Sequence, residues 1–435
     1  MAVSTRGLGA ALRELVGADR VSDAPGECGA AAVDGRTPRW VVRAADVEHV
    51  AGVLTLAWEE SLAVAPRGSG FALELGRPPE RLDIVLDLRG LDRVVEDSPA
   101  DLTVSVEAGI SAGTLADRLA ARRQWLPVDP PGWRGRTLGG LAATGASGPL
   151  RLRYGTLRDL VLGVRFVQAD GVVTWGGARV VKSVTGYDVP KLMVGALGTL
   201  GVLVELTLRL HPMPAVEGTW LALFRTPEAA QAFTASVLDS PLQPSRLEFL
   251  NEAALRACQA PPAPAAVAVS VGSVEAAVRE QGEMLVALAG VAGGAASPAD
   301  ADFWSRYDAA LVPAAGEVVL QVGTLPSRLA ETVAAIAAVG VPPTALVTGA
   351  GALGALRVAV TGVDVPAAGR LVTALRDAAA ALGGHVVVHA GPPALRTEVD
   401  PWGPVDPGPL ALMRALKDEF DARRVLNPGR FVGGL

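Results

Sequence analysis

Between Pro127 and Glu205 the chain gathers glycines, small residues and hydroxyls into three clusters, each set among β-branched apolar runs. They read LPVDPP with TLGGLAATGASGP, then YGTLRDLVLGVRFVQADG, then VVKSVTGYDVPKLMVGALGTLGVLVE. A backbone with so few bulky side chains can approach a neighbour closely, and three such places flanked by strand-forming segments suit the wrapping of a large flat ligand.

At 435 residues the chain exceeds what one core usually organises, which predicts two domains of roughly 200 residues each. Half of the residues are hydrophobic and 19% are charged, enough for globular interiors. A net charge of -6 without any basic run gives no reason to bind nucleic acid or an anionic membrane. Cys28 and Cys258 stand far apart with no CxxC or Cys/His cluster, so neither a disulfide framework nor a chain-borne zinc or iron–sulfur site is expected. The N-terminus breaks its apolar run with charges, which argues against a signal peptide and for a cytoplasmic protein. Residues 332–356 carry no charge, yet Pro342-Pro343 splits them, so a buried helix followed by a strand is expected and no membrane span.

Along the chain, residues 1–37 read as a lead-in with a short helix at Leu8 to Val16. Residues 38–65 fit a strand, a helix with apolar positions Val47, Val50, Val53 and Leu54, and a second strand. Ser111 is a natural N-cap for the helix that follows it. The sequence His211-Pro212-Met213-Pro214 marks a boundary, since paired prolines stop a strand. From 215 to 395, helical runs alternate with strand-like runs, predicting a second α+β domain with an antiparallel sheet and helices on one face. Residues 396–435 form a C-terminal tail.

Gly349-x-Gly351-x-x-Gly354 has the form of a dinucleotide fingerprint, but a strand-like run begins two residues after Gly354 and leaves no room for the phosphate-binding helix. It is read as a glycine-rich hairpin.

Six pieces in order, PRGSG at 66–70, TLGG at 137–140, ATGASGP at 143–149, YGTLRDLVLG at 154–163, ADG at 169–171 and ALGTLGVLVE at 196–205, resemble the FAD-binding domain of vanillyl-alcohol-oxidase (PCMH-type) flavoproteins. The resemblance covers about 35 to 215, and VLNPGRF at 425–431 is similar to the tail that in this family returns to the FAD domain. It implies an α+β protein with a PCMH-type FAD-binding domain at 38–214 and an α+β cap domain at 215–395. Within the family, VVKSVTGYDVPKLMVGALGTLGVL and FDARRVLNPGRF are most similar to the GlcE-type subunits of glycolate oxidase. That implies a flavin subunit working beside a catalytic flavoprotein subunit and an iron–sulfur subunit on a small 2-hydroxy acid, with any membrane association running through those partners; the alternative is a self-sufficient FAD-dependent 2-hydroxy-acid (D-lactate-type) or sugar-alcohol dehydrogenase.

The resemblance places the cofactor against Pro66, Arg67, Gly68, Ser69, Gly70 and Phe71, with Pro131, Thr137, Gly139 and Gly140 as a second wall. Thr144, Ala146, Ser147 and Gly148 would lie along the pyrophosphate and the flavin edge. Converging backbone N–H groups can hold a pyrophosphate where no bulky side chain intervenes, though PRGSG alone equally suits a plain tight turn. Val202 would meet the adenine end through its backbone, and Arg158 and Asp159 are either a surface ion pair or a support close to the flavin. Asn427 belongs either to a helix stop or to a flavin-proximal lid. Relatives that bond the flavin covalently from the first loop place His just after its glycines; Phe71 stands there, so non-covalent FAD is expected.

Oxidising a 2-hydroxy acid needs a cation for the carboxylate and a base for the hydroxyl proton. The chain has four histidines, of which His385 and His389 lie four apart and would share one face of a strand. As a metal pair they lack a third ligand nearby, and no metal is expected. Arg246, Arg357 and His385 are the candidates for substrate chemistry, with Glu248 beside Arg246 on a strand; outward solvated charges are the competing account.

Overall fold

The computed structural model describes residues 5–178 and 187–435. A first sheet aligns Trp40–Arg43, Ile84–Asp87 and Val64–Arg67 in parallel, with Val21–Ser22 antiparallel at one edge. The helix Val47–Glu59 crosses between two of these strands. Asp46 starts it by accepting the His49 N–H, and Val47, Val50, Val53 and Leu54 are all buried against the sheet, as their spacing predicts. The segment read as a lead-in is woven into the same core: the helix Thr5–Val16 packs on Val47–Glu59, and Leu8, Leu12 and Val16 are buried there.

A second, antiparallel sheet runs in the order Val94–Ser98, Thr103–Glu107, Val202–Arg209, Val161–Val167, Val173–Gly177. Ser111 caps the helix Ala112–Ala120, accepting the Thr114 N–H at 3.0 Å. The strand Val202–Arg209 ends one residue before Leu210, and His211–Pro212 makes only a two-residue pairing with Gln124–Trp125.

The rest of the chain builds an eight-stranded antiparallel sheet. It consists of two β-α-β-β-α-β halves. The first contains the strands Val216–Phe224, Pro244–Asn251, Ala265–Ser273 and Ala295–Pro298; the second contains Val318–Gly323, Leu346–Ala350, Ala355–Val360 and His385–Ala390. In both halves the fourth strand lies beside the first, the first beside the third, and the third beside the second. The halves join through their second strands, where Phe249 pairs with Gly349 and Leu250 with Thr348. Helices Pro227–Leu238, Glu275–Val291, Leu329–Ala338 and Val365–Ala381 cover one face, over Leu247, Phe249, Leu320, Val358 and Val388. Because side chains alternate along a strand, Glu248, Gln321, Arg357 and His389 project from the other face, toward the first domain.

The glycines at 349–354 form the hairpin between Leu346–Ala350 and Ala355–Val360. Gly354 turns it in the left-handed region, where a β-carbon would meet Thr324 O at 1.9 Å. The uncharged run at 332–356 is shared between the helix Leu329–Ala338 and this hairpin, and no helix among the described residues is long and apolar enough to cross a membrane.

After the helix Pro407–Phe420 the chain returns to the first sheet. Val64 N–H donates to Val425 O at 2.8 Å and Asn427 N–H to Val64 O at 3.0 Å, which seats Leu426 beside Val64. The Lys417 ammonium, buried, donates to Asp421, Thr199 O and Leu426 O and fixes the bend.

Candidate functional site

Two hollows adjoin, one within the first domain and its returning C-terminal stretch, the other where that domain meets the large sheet. The smaller, about 80 Å³, is bounded by Pro66 to Phe71, Gly140, Thr144, Leu197, Asn427 and two further arginines, Arg136 and Arg430. Its floor is the turn after Val64–Arg67. Gly70 occupies the left-handed region at φ +80°, and a β-carbon at Gly68 would fall 2.0 Å from Thr137 Oγ1. Thr137 in turn caps the helix Leu138–Thr144, accepting from Gly140 N–H at 3.3 Å.

Three guanidiniums meet here with no carboxylate in ion-pair contact among the described residues. Arg67 and Arg430 each leave Nε buried without a partner, and Asn427 leaves Oδ1 so. Arg430 donates to the backbone carbonyls of Leu73 and Leu75, and Asn427 Nδ2 to Leu197 O at 2.7 Å. Arg136 donates to Thr144 Oγ1 at 3.2 Å and rests over the Phe71 ring, 4.7 Å from its centroid. Burial draws Arg136 and Arg430 down to about 10, still cationic at neutral pH. Unspent N–H groups above a turn that admits no side chain are the donor set a pyrophosphate requires.

The larger hollow is about 900 Å³ and shares Phe71, Ala72, Arg136 and Thr144 with the smaller one. The first domain contributes Pro131, Ala146, Ser147, Gly148 and Arg151; the sheet contributes Glu248, Gln321, Thr348, Arg357, His385 and His389. A β-carbon on Gly148 would collide with Asp129 O at 1.9 Å, so the loop packs there through bare backbone. Arg357 donates to Leu311 O at 2.7 Å, its Nε has no partner, and burial lowers its pKa. His389 faces this interior. Its side chain is exposed to the hollow, and desolvation by the surrounding protein, followed by the positive charges of Arg357 and Arg136, lowers its pKa. Glu248, only 3% exposed, accepts from the Tyr307 hydroxyl at 2.8 Å through one oxygen, while the other has no partner; burial raises the carboxyl to about 7.

The residues expected at the cofactor divide accordingly. Pro66, Arg67, Gly68, Ser69, Gly70, Phe71, Pro131, Gly140, Thr144, Ala146, Ser147, Gly148 and Asn427 line the hollows. Thr137 stands directly behind Gly68, and Gly139 packs against Ala108 instead of facing the cleft. Val202 opens its strand in the core, paired with Val167. Arg158 and Asp159 lie outside both hollows: Arg158 donates to Lys191 O, and Asp159 closes a capping box with Thr156. Tyr187 is 95% exposed, and residues 180–186 of the VVKSVTGYDV stretch lie outside the described residues.

Arg246 does not reach the cavity. It is held by Asp129 at 2.9 Å and by Glu217, and it joins the sheet to the first domain. Glu248, one of the charges for which a solvated surface position competes on sequence grounds, is buried. Arg136, Arg151, Arg430 and Tyr307 were not singled out by sequence; only NPGRF, which contains Arg430, carried a local signal. Among the described residues no group of three His, Cys, Asp or Glu could hold a metal ion.

Residues 38–177 match the FAD binding domain model, and residues 213–338 with 367–431 match the C-terminal domain of FAD linked oxidases. The chain is 30% identical over 218 residues to glycolate oxidase subunit GlcD of Bacillus subtilis, covering 50% of this chain and 46% of that protein. It is 37% identical over 218 residues to a D-lactate dehydrogenase of Archaeoglobus fulgidus, covering 49% and 48%. These alignments span about half the length of the curated relatives. An uncharacterized FAD-linked oxidoreductase of Mycobacterium tuberculosis is 27% identical over 436 residues, 91% of each chain. Among solved structures, p-cresol methylhydroxylase with substrate bound superposes with a TM-score of 0.75 at 16% identity, covering 98% of this chain and 96% of that one. The 4-ethylphenol oxidase from Gulosibacter chungangensis gives 0.76 at 15%, covering 98% and 97%. At such identities the structural likeness speaks for the PCMH-type fold alone.

Proposed function

This chain belongs to the FAD-linked oxidases, with FAD as its cofactor, and from that premise we propose that it oxidises a 2-hydroxy acid to the 2-oxo acid in the 900 Å³ cavity. The observation that carries the reading is Arg357: a guanidinium in the cavity wall with one backbone contact, an unpartnered Nε and no ion pair among the described residues. Such a group suits a substrate carboxylate. Names of relatives with the same domains, glycolate oxidase subunit and D-lactate dehydrogenase, point to the same substrate class.

Bound FAD supplies the hydride acceptor. Arg67, Arg136 and Arg430, with the Gly68–Gly70 backbone, would hold its pyrophosphate end, and Phe71 offers no nucleophile for a covalent bond, so the flavin is released on denaturation. Arg357 orients the acid. His389 accepts the hydroxyl proton; it is neutral at working pH, and a carboxylate on Arg357 offsets one of the charges that depress it.

The sequence resemblance to GlcE-type subunits supports a finer reading, in which the chain is the flavin subunit of a glycolate-oxidising complex and passes electrons to a catalytic flavoprotein chain and an iron–sulfur chain. The polar groups gathered in its own cavity favour catalysis by the chain alone. Anaerobic mixing of the purified chain with glycolate or D-lactate separates them. Bleaching of the 450 nm band that Arg357→Met slows supports catalysis here; bleaching only with partner chains supports the subunit reading; none under either condition refutes 2-hydroxy-acid oxidation.

A further inference from the structure

Of the polar groups in the cavity that this chemistry leaves unused, Glu248 has an unpartnered oxygen. Glu248 is buried, lines the cavity and leaves Oε1 without a hydrogen-bond partner, while its other oxygen is held by Tyr307, itself in contact with Thr348 Oγ1 at 3.1 Å. A buried acceptor left unpaired costs free energy, and a ligand that donates to it recovers that cost.

Strand register fixes how far Glu248 stands from Arg357. Thr348 pairs with Arg357 and Leu250 with Thr348, so Glu248 lies two strands away and two residues along from the Leu250 position. With neighbouring strands about 4.8 Å apart and about 3.4 Å per residue along a strand, the two backbone positions are about 12 Å apart. A two- or three-carbon acid is short beside that separation. The cavity, about 900 Å³ before the flavin ring takes its share, is lined by both Arg357 and Glu248, so a longer acid can span the two.

We propose that Glu248 forms a distal subsite that accepts a hydrogen bond from a hydroxyl on the far end of the substrate, so that the preferred substrates are polyhydroxylated 2-hydroxy acids of aldonic type. This rests on the 2-hydroxy-acid reading above. Arg151 is close enough that its charge acts on the Glu248 carboxyl, which makes the subsite unsuited to an ammonium and suited to a neutral donor. Thr348, between the two ends and also lining the cavity, offers a further hydroxyl along the chain.

The test is stopped-flow reduction of the FAD-loaded chain by gluconate, galactonate, glycolate and D-lactate, for the native protein, Glu248→Met and Glu248→Gln. Glu248→Met removes both oxygens at nearly constant volume. Glu248→Gln keeps an acceptor for Tyr307 and serves if the first variant does not fold. Expected is a preference of the native chain for the longer acids, carried by KM, and a fall of about tenfold in the ratio of kcat/KM for gluconate or galactonate over D-lactate in Glu248→Met, the value of one hydrogen bond. Glu248→Gln should give a smaller fall in the same ratio. Reduction by the short acids with no preference for the longer ones, or a ratio unmoved by both variants, overturns the subsite and leaves the 2-hydroxy-acid reading standing. If no 2-hydroxy acid reduces the flavin, both fall.

Discussion

Gly68 lies so near Thr137 that a β-carbon on the glycine would sit 2.0 Å from the threonine Oγ1. Thr137 cannot retreat, because it caps the helix Leu138–Thr144. Gly68→Ala is therefore expected to distort the turn and to yield protein with little bound FAD. Gly135→Ala, where nothing lies within 4 Å, should retain it. The ratio of 450 nm to 280 nm absorbance of each purified variant is the measurement.

Arg136 and Arg430 reach the small hollow with cationic charge unspent on any carboxylate. Replacing either with Met should weaken FAD binding about 10- to 100-fold, the worth of one charge-assisted contact. Titration of the apo-protein with FAD, followed by flavin fluorescence, reads this. An unchanged Kd for both variants would place the pyrophosphate elsewhere.

How much of this site could be read in advance depended on what each residue's role rests upon. The glycines at 68, 70 and 148 are demanded by local sterics, and local sterics leave a mark in the sequence. Arg136 and Arg430 matter because no acid among the described residues pairs with them, which only the folded arrangement decides. Arg246 and Arg357 make the point together: both sit on strands with alternating patterns, yet Arg246 meets Asp129, 117 residues away, and Arg357 meets only a carbonyl. Likewise Arg158 and Asp159, adjacent to the glycine clusters in sequence, turn outward because a capping box and Lys191 O claim them. An antiparallel sheet with helices on one face was legible from periodicity, whereas the short strand Ala295–Pro298 and the division into two like halves, which depends on strand order, were not.

The Glu248 carboxyl is raised from 4.5 to about 7, so between these values the folded protein binds a proton that the unfolded chain does not. Its contribution to stability is thus present below pH 4.5 and lost as pH rises through 7. Glu248→Gln should leave stability little changed at pH 4.5 and increase it at pH 8, by up to about 3 kcal/mol. Urea denaturation of the FAD-loaded protein at the two pH values checks the sign; an equal difference at both would assign the burial cost to something other than ionisation.

Removing Arg246 strands Asp129 and Glu217, of which Asp129 is mostly buried and also accepts the Leu150 N–H at 2.9 Å. Arg246→Met should destabilise the protein by about 2–4 kcal/mol. Adding Asp129→Asn, which retains an acceptor for Leu150, should recover part of that loss. Denaturant midpoints of both single variants, the double variant and the native chain give the comparison, and full additivity would show that the pair is not coupled.

The stretch that closes the small hollow, Val425 to Arg430, reaches back across more than 350 residues to the carbonyls of Leu73 and Leu75. During synthesis the turn at 66–70 therefore emerges long before its closing partner, and the whole eight-stranded sheet is made in between. The flavin pocket is closed by contacts of long sequence separation, which form only once the C-terminal stretch is made. A chain cut between Ala390 and Val425 would keep every glycine that lines the pocket and still lack its lock.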